Sequence, residues 1–146
     1  MKTFSPKPKD ITRTWYIIDA SEAALGRVAA KAARLLLGKD KPSFAHHIDC
    51  GDYVIIINAD KLVITGNKKS GKIYYRHSGY PGNLKATSLA DMLNDQSVIV
   101  IQKAVRGMLP VNKLRPNRLA RLKIYPGAEH QNEAQKPVIL SMKETK

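Results

Sequence analysis

A cluster of cations, tyrosines and small residues between residues 68 and 85 is the part of the chain best suited to bind a ligand. It holds five lysines and arginines and no carboxylate. An enzyme pocket generally needs a carboxylate, a thiol or a paired base, whereas a surface for phosphates and bases needs cations, rings and small residues. The stretch therefore indicates nucleic-acid binding. The alternative is an exposed basic hairpin whose aromatic residues serve the core.

A short strand followed by a tight turn is expected within this cluster. Residues 73–76 are aromatic or β-branched apart from one arginine, which favours a strand. Gly79, Pro81 and Gly82 interrupt any regular element and favour a turn. The turn would present its backbone to a ligand, because glycine lets another group approach closely.

Residues 66–72 match the pattern G-x-x-x-x-G-K of nucleotide-binding loops. Such a loop needs Ser or Thr at the next position to hold magnesium, and a helix whose N-terminus faces the phosphates. Ile73 follows here instead and begins a predicted strand. We interpret the segment as a basic hairpin turn, and an NTP-dependent α/β enzyme remains the first alternative function.

Metal binding and nucleophilic catalysis have little support in the sequence. His46, His47 and Cys50 form a compressed H-H-x-x-C group, but a second ligand pair at zinc spacing is missing. Cys50 is the single cysteine, which excludes an internal disulfide and fits a reducing compartment. We therefore expect no metal, no cofactor and no small-molecule substrate.

The charge of the chain points to an anionic partner. The chain has 146 residues, which is enough for one domain. Its formal net charge of +13 is an excess of cations that suits nucleic acid. No acid lies between Asp60 and Asp91, or between Asp95 and Glu129. Segregation of this kind indicates a basic face. No apolar run approaches the length of a membrane helix.

The order of predicted elements indicates one α/β domain. A strand at 14–19, a helix with Ser21 as N-cap and Gly38 after its end, and a buried strand at 53–57 make a βαβ unit. The other expected elements are a short strand or helix edge at 62–65, a helix at 89–94 that Ser88 opens, helices at 98–108 and 116–121, and a last strand at 122–125. The expected division is an extended basic arm at 1–13, the domain at 14–125 and an extended tail at 126–146.

One face of the first predicted helix is cationic. Arg27, Lys31 and Arg34 follow a spacing that places them together. This face is either ordinary solvated surface or part of an RNA footprint, and the spacing supports both interpretations equally.

Short motifs run through almost the whole chain: Trp15–Ala20, Leu25–Ala29, Gly51–Val54 with Ile57–Ala59, Thr65–Gly66 with Lys72, His77–Gly82, Ala104–Pro110, Leu122–Tyr125, and Gly127–His130 with Ala134–Pro137. In content and order they resemble the universal L-thirteen family of large-subunit ribosomal proteins, in its bacterial form. Two departures are His46, where a proline is expected, and Gln131–Glu133, which replaces a second histidine-containing stretch.

The resemblance implies a three-layer α/β/α domain around a mostly parallel sheet, with basic loops. It implies a structural protein without a catalytic site, located in the cytoplasm in the ribosome. Its partners would be large-subunit ribosomal RNA and neighbouring ribosomal proteins, with a role in early subunit assembly. A regulatory RNA-binding protein that acts away from the ribosome is the second alternative.

The resemblance assigns RNA contact to His77–Gly82 with Lys72 and Arg76, and to Arg106–Arg115. Charge alone adds the flanking cations. Either of two tyrosines, at positions 74 and 80, is expected to stack on an unpaired base. The predicted RNA-binding residues are Lys68, Lys69, Lys72, Tyr74, Arg76, His77, Ser78, Gly79, Tyr80, Gly82, Arg106, Lys113, Arg115, Arg118, Arg121 and Lys123.

Overall fold

The computed structural model describes residues 5–142, which form a four-stranded sheet, a two-stranded hairpin, four helices and three short 3-10 turns. Residues 1–4 of the predicted arm and 143–146 of the predicted tail lie outside the described residues. The elements are β1 Trp15–Asp19, α1 Leu25–Leu37, β2 Tyr53–Ile57, α2 Lys68–Gly71, β3 Ile73–His77, β4 Leu84–Ser88, α3 Leu89–Met108, α4 Arg115–Ala120, β5 Leu122–Ile124 and β6 Val138–Leu140, with 3-10 turns at Pro8–Asp10, Ala59–Lys61 and Glu133–Gln135.

The larger sheet has the strand order β5-β2-β1-β6, and every neighbouring pair in it is parallel. Consecutive side chains in a strand point to opposite faces. Ile17 and Ile18 of β1 are both buried, as are Ile55 and Ile56 of β2. Both faces of the central strands are therefore covered, with helices on both sides of the sheet. This confirms the predicted α/β fold.

Helix α1 supplies a large share of the core and ends as predicted at Gly38, which adopts a φ of 77° and closes the last turn with its N–H. Its start differs from the prediction. The N–H and the Oγ of Ser21 both donate to Oδ1 of Asp19, at 2.8 and 2.7 Å. Because Ser21 is engaged by this nearer acceptor, the helix begins only after Ala24, without a side-chain cap.

Helix α3 joins two helices that the sequence predicts separately. Ser88 caps it as predicted, and its Oγ accepts the N–H of Asp91 at 3.2 Å. At Gln96 the backbone leaves the helical region, with φ −150° and ψ 66°, which kinks the axis. Ser97 is buried and donates to Oδ1 of Asp60 at 2.5 Å, so the kink is anchored to the turn that follows β2.

Strand β6 lies within the extended tail predicted from residue 126 onward, for which no strand was expected. It pairs in parallel with β1 and completes the sheet. A carboxylate oxygen of Glu22 accepts the N–H of Met142 at 2.7 Å and the Oγ of Ser141 at 3.4 Å, which fixes the chain just after the strand. Three residues are too short a run to show the period of a strand in the sequence.

The segment between β2 and α3 also differs in detail from the prediction. The strand at 73–76 is confirmed as β3, but β4 was not predicted. Residues 66–72, predicted as a hairpin turn, instead contain the helical turn α2, and the hairpin turn lies at 78–83. The short strand expected at 62–65 is reduced to one bridge between Val63 and Ala24.

Candidate nucleic-acid interface

Two cations lie side by side on the β3–β4 hairpin. Arg76 lies directly opposite Lys85 in the antiparallel register, and both residues are exposed. Like charges at opposed positions repel each other and destabilise a hairpin. Residues 73–88 contain no carboxylate that could offset the repulsion. An anion bound over the pair would offset it, so the hairpin favours an anionic partner.

The turn at 78–83 is open to solvent and is held by its own side chains. Nδ1 of His77 accepts the N–H of Gly79 at 3.0 Å, and Oγ of Ser78 accepts the N–H of Tyr80 at 3.4 Å. Gly79 and Gly82 have φ values of 97° and 75°, which L side chains rarely adopt. Tyr80 is 75% exposed. The turn therefore offers backbone and one aromatic ring to a ligand.

Tyr74 makes contacts within the protein that the sequence did not predict. Its side chain is half-buried against the core, and two ammonium groups lie over its ring. The Nζ atoms of Lys72 and Lys103 are 5.2 and 4.8 Å from the ring centre, within the range of cation–π attraction. Tyr74 thus holds two cations beside the hairpin, which leaves Tyr80 as the better candidate for stacking on a base.

Three adjoining clefts run from the hairpin turn to the start of α4. The first, of about 450 Å³, lies at the hairpin tip and shares Arg76 with the second, of about 430 Å³, which lies between the hairpin and α3. The second shares Ile99 and Lys103 with the third, of about 360 Å³, between α3 and α4. Because neighbouring clefts share wall residues, we treat them as one feature, the basic groove.

The basic groove is strongly cationic. Among the described residues that line it, a single carboxylate, that of Asp95, faces five cations. The five are Arg76, Lys85, Lys103, Arg106 and Arg115. An arginine and lysine lining of this kind suits a phosphate backbone better than a neutral substrate.

Most of the predicted RNA-binding residues lie in or near this groove. Those that line it are Tyr74, Arg76, His77, Ser78, Arg106 and Arg115. Gly79, Tyr80 and Gly82 form the adjacent turn, and Lys72 lies over Tyr74. Elsewhere on the surface, Lys68 and Lys69 are exposed on α2, Lys113 on the loop before α4, and Lys123 on β5.

Two groove cations were missed by the sequence analysis. Lys103 precedes Arg106 by three residues, a spacing that puts both on one helix face, so the helical prediction contained the signal. Lys85 was missed because β4 was missed, and only the hairpin register brings it opposite Arg76.

Arg118 and Arg121 lie outside the groove and are buried, so they are not part of an exposed basic face. They are 2% and 6% exposed. Nη1 and Nη2 of Arg121 donate to the two carboxylate oxygens of Asp49 at 2.5 and 2.7 Å. Nε of Arg118 is 3.5 Å from Oδ1 of the same carboxylate. Counting charges could not separate cations that neutralise a buried acid from those that face solvent.

Asp49 is held as a carboxylate by these neighbours. Burial raises its pKa, but the hydrogen bonds and charge of Arg121, with the N–H of Gly51 and the charge of Arg13, outweigh burial, and the net pKa is lowered. Gly51 makes the arrangement possible: a Cβ there would lie 1.8 Å from the carbonyl oxygen of Leu36 and 2.8 Å from Nη2 of Arg121.

The resemblance of residues 66–72 to a nucleotide-binding loop is not matched by the structure around it. The lysines lie on α2, a single helical turn of four residues, and β3 follows after Lys72. A phosphate-binding loop instead leads into a long helix. Over residues 5–142, we also find no group of three acidic, histidine or cysteine side chains placed to hold a metal ion. None of the helices in that range has the length and apolar character needed to cross a membrane.

Comparison with known proteins shows which family the chain belongs to. The family model described as Ribosomal protein L13 matches residues 13–131. The chain belongs to the ribosomal protein L13 family. This confirms the resemblance seen in the motifs between Trp15 and Pro137. The family is one of structural ribosomal proteins, so the chain is not an enzyme.

Similar L13 proteins are found in actinobacteria. The chain is 55% identical over 137 residues to the large ribosomal subunit protein uL13 of Beutenbergia cavernae, covering 94% of this chain and 93% of the relative. It is 52% identical over 144 residues to that of Salinispora arenicola. It is 49% identical over 144 residues to that of a Parafrankia species, and both of these matches cover 99% of this chain and 98% of the relative.

Proposed function

We propose that this chain is a structural constituent of the large ribosomal subunit, in the cytoplasm, and that it binds large-subunit ribosomal RNA along the basic groove and the adjoining turn. The observation that carries the proposal is the continuity of the groove, with five cations and one carboxylate along its walls. Relatives that match nearly the whole chain are named as large ribosomal subunit proteins, which supports it.

The groove binds RNA mainly through phosphates. Each phosphate neutralised by lysine or arginine releases counterions, so affinity falls as salt rises. The five groove cations and one neighbouring lysine would make about six contacts, for which the log–log slope of affinity against salt is about −4 to −5. The bound phosphates also remove the repulsion between Arg76 and Lys85.

The fold holds these cations in fixed positions, which suits a role in subunit assembly. Lys103 and Arg106 extend from α3, whose opposite face carries Val100, Ile101 and Val105, all fully buried in the core. A site on a packed helix is more rigid than one on a loop. RNA segments that contact the hairpin and α3 together are therefore fixed relative to each other. Neighbouring ribosomal proteins are the other expected partners.

Replacing Tyr80 with Leu is expected to weaken RNA binding by about 1–3 kcal/mol, the contribution of one base stacked on an aromatic ring. Leucine keeps an apolar side chain but has no flat face. Binding of the purified variant to large-subunit ribosomal RNA, measured by filter retention, tests this. Tyr80→Phe is the matched control, because phenylalanine keeps the flat face at the same position, and its affinity should stay close to that of the wild type. Equal affinities for Tyr80→Leu and the wild type would refute stacking at position 80.

Sedimentation of a cell lysate in a magnesium-containing gradient tests the proposed function as a whole. The chain is expected to be equimolar with the large subunit and to remain with it through a high-salt wash, as a structural constituent would and a loosely attached protein would not. A chain that sediments mainly free of ribosomes would contradict the structural role and favour a regulatory RNA-binding protein.

A further inference from the structure

A second cationic pocket lies beside α4 and shares no lining residue with the basic groove. It has a volume of about 330 Å³ and lies where the end of α1, the loop that follows it and the loop before α4 meet. Apolar side chains form part of its wall, and its polar lining consists of Lys39, His46, Asn112 and Arg118. No carboxylate is among the described residues that line it. We call it the Arg118 pocket.

The guanidinium group of Arg118 has donors to spare. The residue is 2% exposed, and its Nε and Nη1 atoms are buried without a hydrogen-bond partner among residues 5–142. Its Nε lies 3.5 Å from Oδ1 of Asp49, close enough for an ion pair but without hydrogen-bond geometry. The same carboxylate is already engaged by two hydrogen bonds from Arg121. Buried donors without a partner are costly, so this arrangement favours an additional acceptor.

The charges around Arg118 do not cancel. Three cations, Lys41, Arg118 and Arg121, are gathered around two carboxylates, Asp49 and Asp52. Oδ1 of Asp52 accepts from Nζ of Lys41 at 2.5 Å, and Asp49 serves both arginines. One positive charge is therefore left over in a largely buried cluster, where an uncompensated charge is unfavourable.

The acid nearest in the sequence to the pocket does not compensate this positive charge. Asp40 follows Lys39 directly, but it forms ion pairs with Lys31, at 3.6 Å, and with Arg34 on the outer face of α1. These contacts also show that part of the cationic face of α1 is paired within the protein.

From the spare donors, the uncompensated charge and the lining, we infer that the Arg118 pocket binds a phosphate group of the RNA backbone. The guanidinium group of Arg118 can donate to a phosphate oxygen, and Lys39, His46 and the amide of Asn112 offer further donors at the same pocket. The assignment to RNA rests on the proposed function, whereas phosphate binding itself rests on the pocket alone.

The position of the pocket gives the contact a structural consequence. Helix α4 carries Arg115 and Leu119 on the wall of the basic groove and Arg118 on the wall of the pocket. RNA bound at both places would hold α4 and the loop before it at two separate points. Arg115 already ties that loop to the helix, since its guanidinium donates to the carbonyl oxygens of Pro110 and Leu109 at 3.2 and 3.3 Å.

Inorganic phosphate is the first probe. A ligand that binds only the folded protein raises its unfolding temperature, so phosphate should raise that of the full chain above the value in sodium chloride of equal ionic strength. Arg118→Met should show a smaller increment than the wild type, because only phosphate bound elsewhere would contribute, while Lys61→Gln, an exposed cation away from the pocket, should keep the full increment. An equal increment in Arg118→Met would overturn the proposal.

Lys39→Gln keeps the inference testable if Arg118→Met does not fold. Lys39 is exposed, so its loss should leave folding intact and weaken phosphate affinity by about threefold, as for a partly solvated ion pair. Wild-type phosphate affinity in Lys39→Gln would overturn the proposal on its own.

Large-subunit ribosomal RNA is the second probe. Arg118→Met should bind it about tenfold more weakly and with a salt slope reduced by about 0.7–0.9, the value for one lost phosphate contact. A variant that loses the phosphate increment but binds RNA like the wild type would overturn the RNA assignment and leave a site for a free phosphate ion. The proposed function is tested separately by groove variants, which leave the pocket unchanged.

Discussion

Replacing Asp49 with Asn is expected to lower the free energy of unfolding by about 3–5 kcal/mol, the usual cost of removing one partner of a buried ion pair. The carboxylate is the shared counter-ion of Arg118 and Arg121, and asparagine would leave both guanidinium groups buried without a counter-charge. Urea unfolding followed by the fluorescence of Trp15, the single tryptophan, measures the change.

Glu129→Gln is the matched control for this measurement, because Glu129 is exposed and its neutralisation should change stability by less than about 0.5 kcal/mol. If Asp49→Asn is no less stable than Glu129→Gln, the carboxylate does not stabilise the fold in the way the contacts imply.

The contribution of Asp49 also depends on pH in a defined direction. Its pKa in the folded protein is lowered from the usual 3.8. The stabilisation is therefore fully present above about that value and is lost as the pH falls through the lower folded pKa, where the carboxylate takes up a proton. The difference in unfolding free energy between the wild type and Asp49→Asn should shrink on acidification over this range. A difference that stays constant would contradict the lowered pKa.

Replacing both Arg76 and Arg106 with Gln is expected to weaken binding to large-subunit ribosomal RNA by about a hundredfold, since a hydrogen bond to a charged group contributes about 1.5–3 kcal/mol. The salt slope should fall by about 1.5, because two phosphate contacts are lost. Incorporation of the variant into large subunits, measured by sedimentation, should fall as well. The two residues lie at separate parts of the groove, on β3 and on α3, so the variant tests the groove as one surface.

A charge-matched double variant provides the control. Lys61 and Lys136 are exposed and lie outside the groove, so their replacement by Gln removes the same net charge from other surface positions. This control should retain most of the affinity. A folded Arg76→Gln, Arg106→Gln protein that binds RNA and enters subunits like the control would show that the groove is not the RNA-binding surface.

The parts of the fold that the sequence predicts are those with long regular patterns. The continuous apolar run of β2, the helical spacing of α1 and the Ser88 cap of α3 were all visible, because each depends on neighbours along the chain. The predicted turn at Gly79 and Gly82 is also confirmed, since both adopt positive φ. The cations, tyrosines and glycines of the hairpin were also visible, because they are a matter of composition alone.

The features that the sequence analysis missed depend on contacts between distant residues. Arg118 and Arg121 look like surface cations until the fold brings Asp49 to them, about seventy residues away along the chain. Similarly, Tyr74 looked available for stacking because the sequence does not reveal that Lys103 reaches its ring. Strand β6 was missed because its pairing with β1 spans nearly the whole chain.

Because β6 lies far along the chain, the sheet is completed late in folding. Synthesis proceeds from the N-terminus, so β1, β2 and β5 leave the translating ribosome before β6. Until β6 arrives, the edge of β1 lies open along Trp15–Asp19, and unpaired strand edges promote aggregation. A newly made chain is therefore open to association through this edge until β6 has paired with β1, and a chain that stopped before Val138 would keep all five groove cations but would retain the open edge.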